Sequence, residues 1–292
     1  MFATEQQLQY LARAKNWYVD GTFKLCRPPF TQLLTVNAFV KQDDHAKQVP
    51  LLFVVMSGKN KKDYRKVFKQ LLEILPTAPA VKRITLDFEK AVWAVLRNLF
   101  PDVKLQGCAF HWTQALWRKV QALGLTNSYY NDRGTYTYIR KMMALPFLPE
   151  GEILTEFQRL QRQAESPTLA EFAEYVNSTW ISNATWSPAD WTVFKQAVRT
   201  NNDLEGWHHG INRRAAGKSQ LPLYVLIKLL HQEAQLTAIQ IRLISEKKLR
   251  RIQRRKYRDL QAKVFDLWEQ YDNNERSARQ LLKACSFLNG PV

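Results

Sequence analysis

The sequence predicts an α/β fold, a mixed sheet flanked by helices, with an all-helical insertion and a long helical C-terminal region. Three observations predict it. The first 56 residues hold three strand-like runs with short breaks, strand and helix periods then alternate, and no strand pattern survives beyond about residue 126. Residues 1–16 read as a short helix or tail. In NWYVDGTFKL, Tyr18, Asp20 and Thr22 alternate with Val19 and Phe23, which is a strand signal. The prolines of CRPPF end that strand. QLLTVNAFV is a second strand, KQDDHAKQ a polar turn, and VPLLFVVM a strand buried on both faces. Tyr64, Val67, Phe68, Leu71 and Leu72 then fall at helical spacing, and PTAPA closes that helix. KRITLDF is a fourth strand with Asp87 near its C-terminal end. Val92, Val95, Leu96 and Leu99 mark the next helix. VKLQGCAF is a short strand before a helix through Trp112, Leu116 and Val120. Short links between the first three strands predict an antiparallel meander, and the later alternation predicts parallel crossovers.

A length of 292 residues allows one large domain or two small ones, and 46% hydrophobic residues can build a sizeable core. The longest apolar run, about eight residues from Pro50 to Met56 and its flanks, is too short to span a bilayer. MFATEQQLQYLARAK lacks a signal-peptide core, so an intracellular location is expected. Cys26, Cys108 and Cys285 are odd in number and widely spaced, which disfavours a disulfide framework. The net charge of +17 and a pI near 9.8 point to a polyanionic partner, nucleic acid before an acidic membrane surface.

From Thr126 to Arg199, blocks such as EILTEFQRLQRQ and LAEFAEYVNSTW read as a helical insertion, and TNNDLEGWHHGINRR as a capped helix start with Glu205 in its first turns. Val225, Leu229, Leu236, Ile239 and Leu243 form the apolar stripe of one long helical pattern. It continues into KKLRRIQRRKYR, where eight of the twelve residues from Lys247 to Arg258 are Lys or Arg. That run (Lys247, Lys248, Arg250, Arg251, Arg254, Arg255, Lys256, Arg258) reads either as a solvated helix face or as a phosphate-binding helix.

Asp20 and Asp87 both sit in apolar strand settings, where a carboxylate is unfavourable and costly to bury alone. If the first and fourth strands are neighbours, both carboxylates project from one end of the sheet, where ligand sites of such folds concentrate. Carboxylates are the oxygen ligands that hard divalent cations require, and two such ions about 4 Å apart neutralise charge at both oxygens of a phosphodiester under attack. Glu89 is a weaker competitor, because it reads as the start of a helix. Nothing else suggests catalysis: the chain has no Gly-rich phosphate loop, no G-x-S-x-G and no H-E-x-x-H.

The order of strands and helices resembles the ribonuclease H-like fold. WYVDGTFK, TLDFEKA, GCAFH and TNNDLEGWH, in that order, are similar to the motifs of the Mutator-like element (MULE) transposase family over roughly residues 10 to 215. The resemblance implies a DDE-type transposase with Asp20, Asp87 and Glu205 as catalytic triad and ligands of two Mg²⁺ or Mn²⁺ ions. Asp20 would bridge both ions. Water would cleave, and a 3′-hydroxyl would carry out strand transfer. It also implies an accessory role for the C-x-x-H pair Cys108 and His111 around the active site or in DNA handling. The residues alone read equally as a small buried thiol and a helix-start histidine, and a complete structural zinc site is not expected. His208 shares a helical face with Glu205 and either orients it or meets a phosphate. Trp207 reads as a core residue or a base-stacking platform, and Arg213 and Arg214 as phosphate contacts.

The expected layout is a ribonuclease H-like core in 1–125, the helical insertion in 126–199, a return to the core in 200–220 with the helix of Glu205, and a basic helical region in 221–292. Relatives often carry a separate zinc-bearing DNA-binding module upstream, and this chain begins almost at the first strand. The alternative function is a non-enzymatic DNA-binding protein derived from a transposase. Either way the expected partner is DNA, as transposon ends and target, with self-association open, no membrane, and a nuclear location in a eukaryote.

Overall fold

The computed structural model describes residues 1–43, 45–196, 202–249, 255–288 and 290; of residues 202, 203, 205 and 255–257 it describes the backbone only. The chain forms two compact units, Met1–Gln106 with Asn201–Ile252, and Gly107–Thr200 with Gln253–Val292. Residues 107–125 thus fold with the helical insertion, while residues 202–249 return to the unit that holds the sheet.

The sheet has five strands: β1 (Asn16–Thr22), β2 (Gln32–Gln42), β3 (His45–Met56), β4 (Arg83–Leu86) and β5 (Lys104–Gly107), ordered β3-β2-β1-β4-β5. β1, β2 and β3 pair antiparallel, and β1 pairs parallel with β4. The mixed sheet and its meander are those the sequence predicts. One link differs. β2 and β3 run through most of the polar stretch KQDDHAKQ, with Gln42 paired to His45. Asp43 adopts φ of 51°, a left-handed conformation that a short polar side chain tolerates, so the turn is tight.

In the first unit, α1 (Glu5–Arg13) starts at a capping box between Thr4 and Gln7. α2 (Lys61–Ile74) starts at another: the Asn60 side chain accepts from the Lys62 and Asp63 N–H groups, and Asp63 accepts from the Asn60 N–H. α2 packs with α3 (Lys90–Leu99). Beside them Phe100 makes edge contacts to Trp17 of β1 and Phe68 of α2.

Cross-strand partners share a sheet face. Asp20 lies opposite Thr35, and Thr35 opposite Phe53. That face carries α10 (Asn202–Arg214) and α11 (Leu223–Ser245). Ile211, Ala215, Leu226, Leu229 and Leu230 join Leu33 and Phe53 in one buried cluster, with Trp207 against it.

Two features of α11 depart from the sequence reading. Its buried positions are Leu226, Leu229, Leu230, Glu233, Thr237, Ile241 and Ile244, whereas Leu236 and Ile239 are exposed. The buried stripe lies one face round from the expected one because Glu233 and Thr237 belong to it. The helix also stops before the basic run. Glu246 is its C-cap, and Lys247 takes φ of 57°. Lys247 and Lys248 therefore do not continue α11.

The second unit is helical among its described residues: α4 (Ala109–Ala122), α5 (Thr126–Asn131), α6 (Arg133–Ala144), α7 (Glu150–Gln161), α8 (Pro167–Val176), α9 (Pro188–Trp191), α12 (Arg255–Asp272) and α13 (Ala278–Leu288), with short 3₁₀ and π segments. Its core is aromatic. Trp112 stacks on Trp191 at 4.4 Å and meets Trp180 edge-on at 4.9 Å, and the Trp268 indole donates to the Phe147 carbonyl at 2.9 Å. The recurrent aromatics of the insertion are thus its packing. No helix among the described residues is long and apolar enough to cross a membrane.

Candidate active site

β1 and β4 are parallel neighbours, so their C-terminal ends fall on the same side of the sheet. Asp20 lies near the end of β1, and Asp87 directly follows β4. Both line one small cavity of about 30 Å³, with Gln32, Tyr64 and Glu89 as its other polar walls. That is room for about two water-sized occupants.

Local structure fixes each carboxylate. The Asp20 side chain is 10% exposed, and its Oδ1 accepts from the Gly21 N–H at 2.7 Å. The Asp20 strand is anchored by buried Thr35 and Asn37: Thr35 Oγ1 donates to the Asp20 carbonyl at 3.4 Å, and Asn37 Nδ2 to the Tyr18 carbonyl at 3.2 Å. Asp87 is exposed, and its Oδ1 accepts from the Phe88 N–H at 2.6 Å. The Trp93 indole donates to the Asp87 carbonyl at 2.7 Å and stacks on Phe88, which pins the turn between β4 and α3.

Glu89 begins α3, as its sequence position suggests, but its side chain makes no cap bond. Instead its Oε2 accepts from the Tyr64 hydroxyl at 3.0 Å, and that hydroxyl accepts from Gln32 Nε2 at 2.9 Å. Burial pushes the Glu89 carboxyl above its ordinary range. The Tyr64 hydrogen bond and Lys59 pull the other way, and the negative charge of Asp87 adds to the rise. Burial likewise raises the Tyr64 phenol, reinforced by Glu89 and Asp87 against the Gln32 hydrogen bond. Both groups hold their protons more tightly than usual, as expected for buried acids with a carboxylate nearby. The Gln32–Tyr64–Glu89 chain has only a faint sequence signal: a tyrosine among the lysines of a first turn, and a glutamate two residues beyond a strand aspartate.

α10 brings His208 to the same place. Its Nε2 lies 3.9 Å from Asp20 Oδ2, ion-pair distance when the imidazole is protonated. Glu205 stands one turn earlier on α10, and its side chain lies outside the described residues. Trp207, read as a core residue or a base-stacking platform, and Arg214, expected at phosphate, both engage Glu233 of α11, which is 3% exposed. The Trp207 indole donates to Glu233 Oε2 at 2.8 Å, and Arg214 Nε donates to Oε1. Trp207 also lies 6.1 Å from the Phe53 ring. Trp207 is partly buried against the cluster of Leu33 and Phe53. Arg213 is exposed. Lys247 pairs with Asp43 at 2.6 Å and Lys248 with Glu246 at 2.8 Å, all at the surface. Arg250, Arg251 and Arg254 lie outside the described residues, as do the side chains of Arg255 and Lys256, while Arg258 is exposed on α12. Cys108 and His111 belong to the second unit. Cys108 is fully buried at the start of α4, and His111 makes an edge contact with Phe110. Among the described residues, no three His, Cys, Asp or Glu side chains are arranged to hold a metal ion.

Residues 16–115 match the family model of the MULE transposase domain. No curated protein matches the chain. The MULE match begins at the first residue of β1 and ends in α4, so it contains Asp20, Asp87, Glu89, Cys108 and His111. It covers about a third of the chain. Glu205, His208 and the Glu233 network lie beyond it.

Proposed function

We propose that the chain is the catalytic part of a MULE-type DNA transposase, with a ribonuclease H-like core and a DDE triad of Asp20, Asp87 and Glu205. The observation that carries this is the convergence of Asp20 and Asp87, from adjacent parallel strands, on one cavity. The antiparallel meander followed by a parallel strand supports the ribonuclease H-like arrangement, and the MULE match over both aspartates supports the family.

The donors at the cavity fit hard divalent ions: two aspartates with Glu89 beside them supply carboxylate oxygen, and no sulfur lines it. Asp20 and Asp87 would hold Mg²⁺ or Mn²⁺, with Glu205 as the third ligand. Such ions supply charge neutralisation at the attacked phosphate and a lowered pKa for the attacking oxygen. In cleavage, a water oxygen bonds to phosphorus as the bond to O3′ breaks. The water gives up a proton and the leaving oxygen gains one, ending as a 3′-hydroxyl. In transfer, that hydroxyl attacks a target phosphodiester and displaces its O3′. A protonated His208 would hold Asp20 from the α10 side, and the Tyr64–Glu89 hydrogen bond fixes the far wall. The net charge of +17 supplies sequence-independent affinity for DNA, and a eukaryotic host would place the activity in the nucleus.

The test compares the unaltered chain with Asp20→Asn and Asp87→Asn, by Mn²⁺ calorimetry and by cleavage and joining of DNA. Both variants should lose cleavage while DNA affinity stays largely intact. Cleavage retained in either variant refutes the triad. DNA binding without cleavage by the unaltered chain would favour the non-enzymatic DNA-binding reading.

A further inference from the structure

Phe23 directly follows β1, three residues beyond Asp20. It is 52% exposed, an unfavourable setting for an aromatic ring. Lys59 Nζ lies 4.4 Å from the ring centroid. Phe23 lines the carboxylate cavity, and it also lines a neighbouring open groove of about 510 Å³ with Thr22, Lys24, Ser219 and Gln220. The groove is framed by backbone: the Gln220 and Leu221 N–H groups donate to the Lys24 and Leu25 carbonyls, each at 2.9 Å. One side chain therefore joins the candidate catalytic cavity to a groove lined by Lys24, and carries the Lys59 ammonium against its ring.

We infer that Phe23 and Lys59 form a stacking subsite for an unpaired base of the DNA strand whose phosphate lies at the Asp20–Asp87 cavity. The inference rests on the transposase reading and extends it to the state of the bound strand. An aromatic face beside cations suits single-stranded nucleic acid, because every unpaired base offers a π-face while the cations meet its phosphates. A paired base inside a duplex keeps its faces in the stack. The subsite therefore favours a strand end that is frayed or opened next to the cut.

The test uses the full chain without divalent ions, and measures binding to a single-stranded oligothymidylate and to a blunt duplex of equal length. Phe23→Ala should weaken single-strand binding about 5- to 150-fold, the range that removal of one base–aromatic stack implies. Duplex binding should change less than about twofold, because backbone contacts dominate it. Phe23→Trp should restore single-strand binding. Lys59→Gln should lower the salt slope of single-strand binding by about one. A 2-aminopurine base in the oligonucleotide should be quenched by the unaltered chain and by Phe23→Trp, but not by Phe23→Ala. Equal weakening on both DNAs, no weakening on either, or absent quenching overturns the subsite. A changed oligomeric state with unchanged DNA affinity overturns it in favour of a protein contact. If Phe23→Ala does not fold, the Phe23→Trp and Lys59→Gln outcomes decide. These readouts need no chemistry, so failure of the Mn²⁺ cleavage test and failure of the subsite are separately visible.

Discussion

Gly21 stands beside Asp20 at a close approach. A Cβ there would lie 2.9 Å from Gln32 Oε1, and Gln32 is buried and bonded to Tyr64. Gly21→Ala must push that amide aside and disturb the Tyr64–Glu89 wall, at a cost of about 1–3 kcal/mol in unfolding free energy. Denaturant titration checks it, and Gln32→Ala in the same background should recover part of the stability. Cys26 tests the same region by pH. Burial pushes its thiol up to about 11 from an ordinary value near 9. A folded pKa above the unfolded one gives stability that is complete below about pH 9 and is lost as pH rises toward 11. The buried thiol should also resist alkylation near neutral pH until the chain unfolds. Asp20 and Asp87 were legible in the sequence because carboxylates in apolar strands are conspicuous. Glu89 was legible only as a weaker competitor, and the site roles of Gln32 and Tyr64 were not, because a polar residue that finds its partner only in the fold looks like any surface residue.

The helices show why periodicity can mislead. α2 and α3 bury the faces their apolar spacing predicts. α11 does not, because its buried face includes a glutamate. The expected stripe stepped around Glu233 and borrowed Leu236 and Ile239, which the fold leaves exposed. The missing information lay on α10, whose Trp207 and Arg214 make that glutamate tolerable. Glu233→Ala strips both partners, and should destabilise the chain by about 2–3 kcal/mol, since Arg214 retains partial access to water. It should also loosen the helix that carries Glu205 and His208. Trp207 fluorescence and thermal unfolding measure the two effects, and Glu233→Gln should recover part of each. An unchanged melting point would remove Glu233 from any role in setting α10.

At the scale of the whole molecule, charge and topology were read with different success. The mixed sheet followed from run lengths and link lengths. The expected helical insertion and return to the core left out the folding of residues 107–125, α12 and α13 with that insertion, because contacts between distant segments leave no local period. The high positive charge predicts DNA affinity that falls steeply with added salt. Neutralising several of Lys247, Lys248 and Arg258 should flatten the slope of log affinity against log salt by roughly one for each phosphate that no longer meets a cation. An unchanged slope would assign these residues to surface ion pairs of the kind Lys247 makes with Asp43.

The first unit is built from two stretches, residues 1–106 and 201–252, with about a hundred residues of the other unit between them. On a ribosome adding about 5–20 residues per second, the strands would emerge roughly 5–20 s before the helices that cover them. During that interval the face with Leu33 and Phe53 has nothing from α10 or α11 to bury it. Such a nascent chain is a natural client for chaperones that hold exposed apolar surface. A chain halted before residue 201 should stay bound to them, and one extended beyond residue 252 should be released.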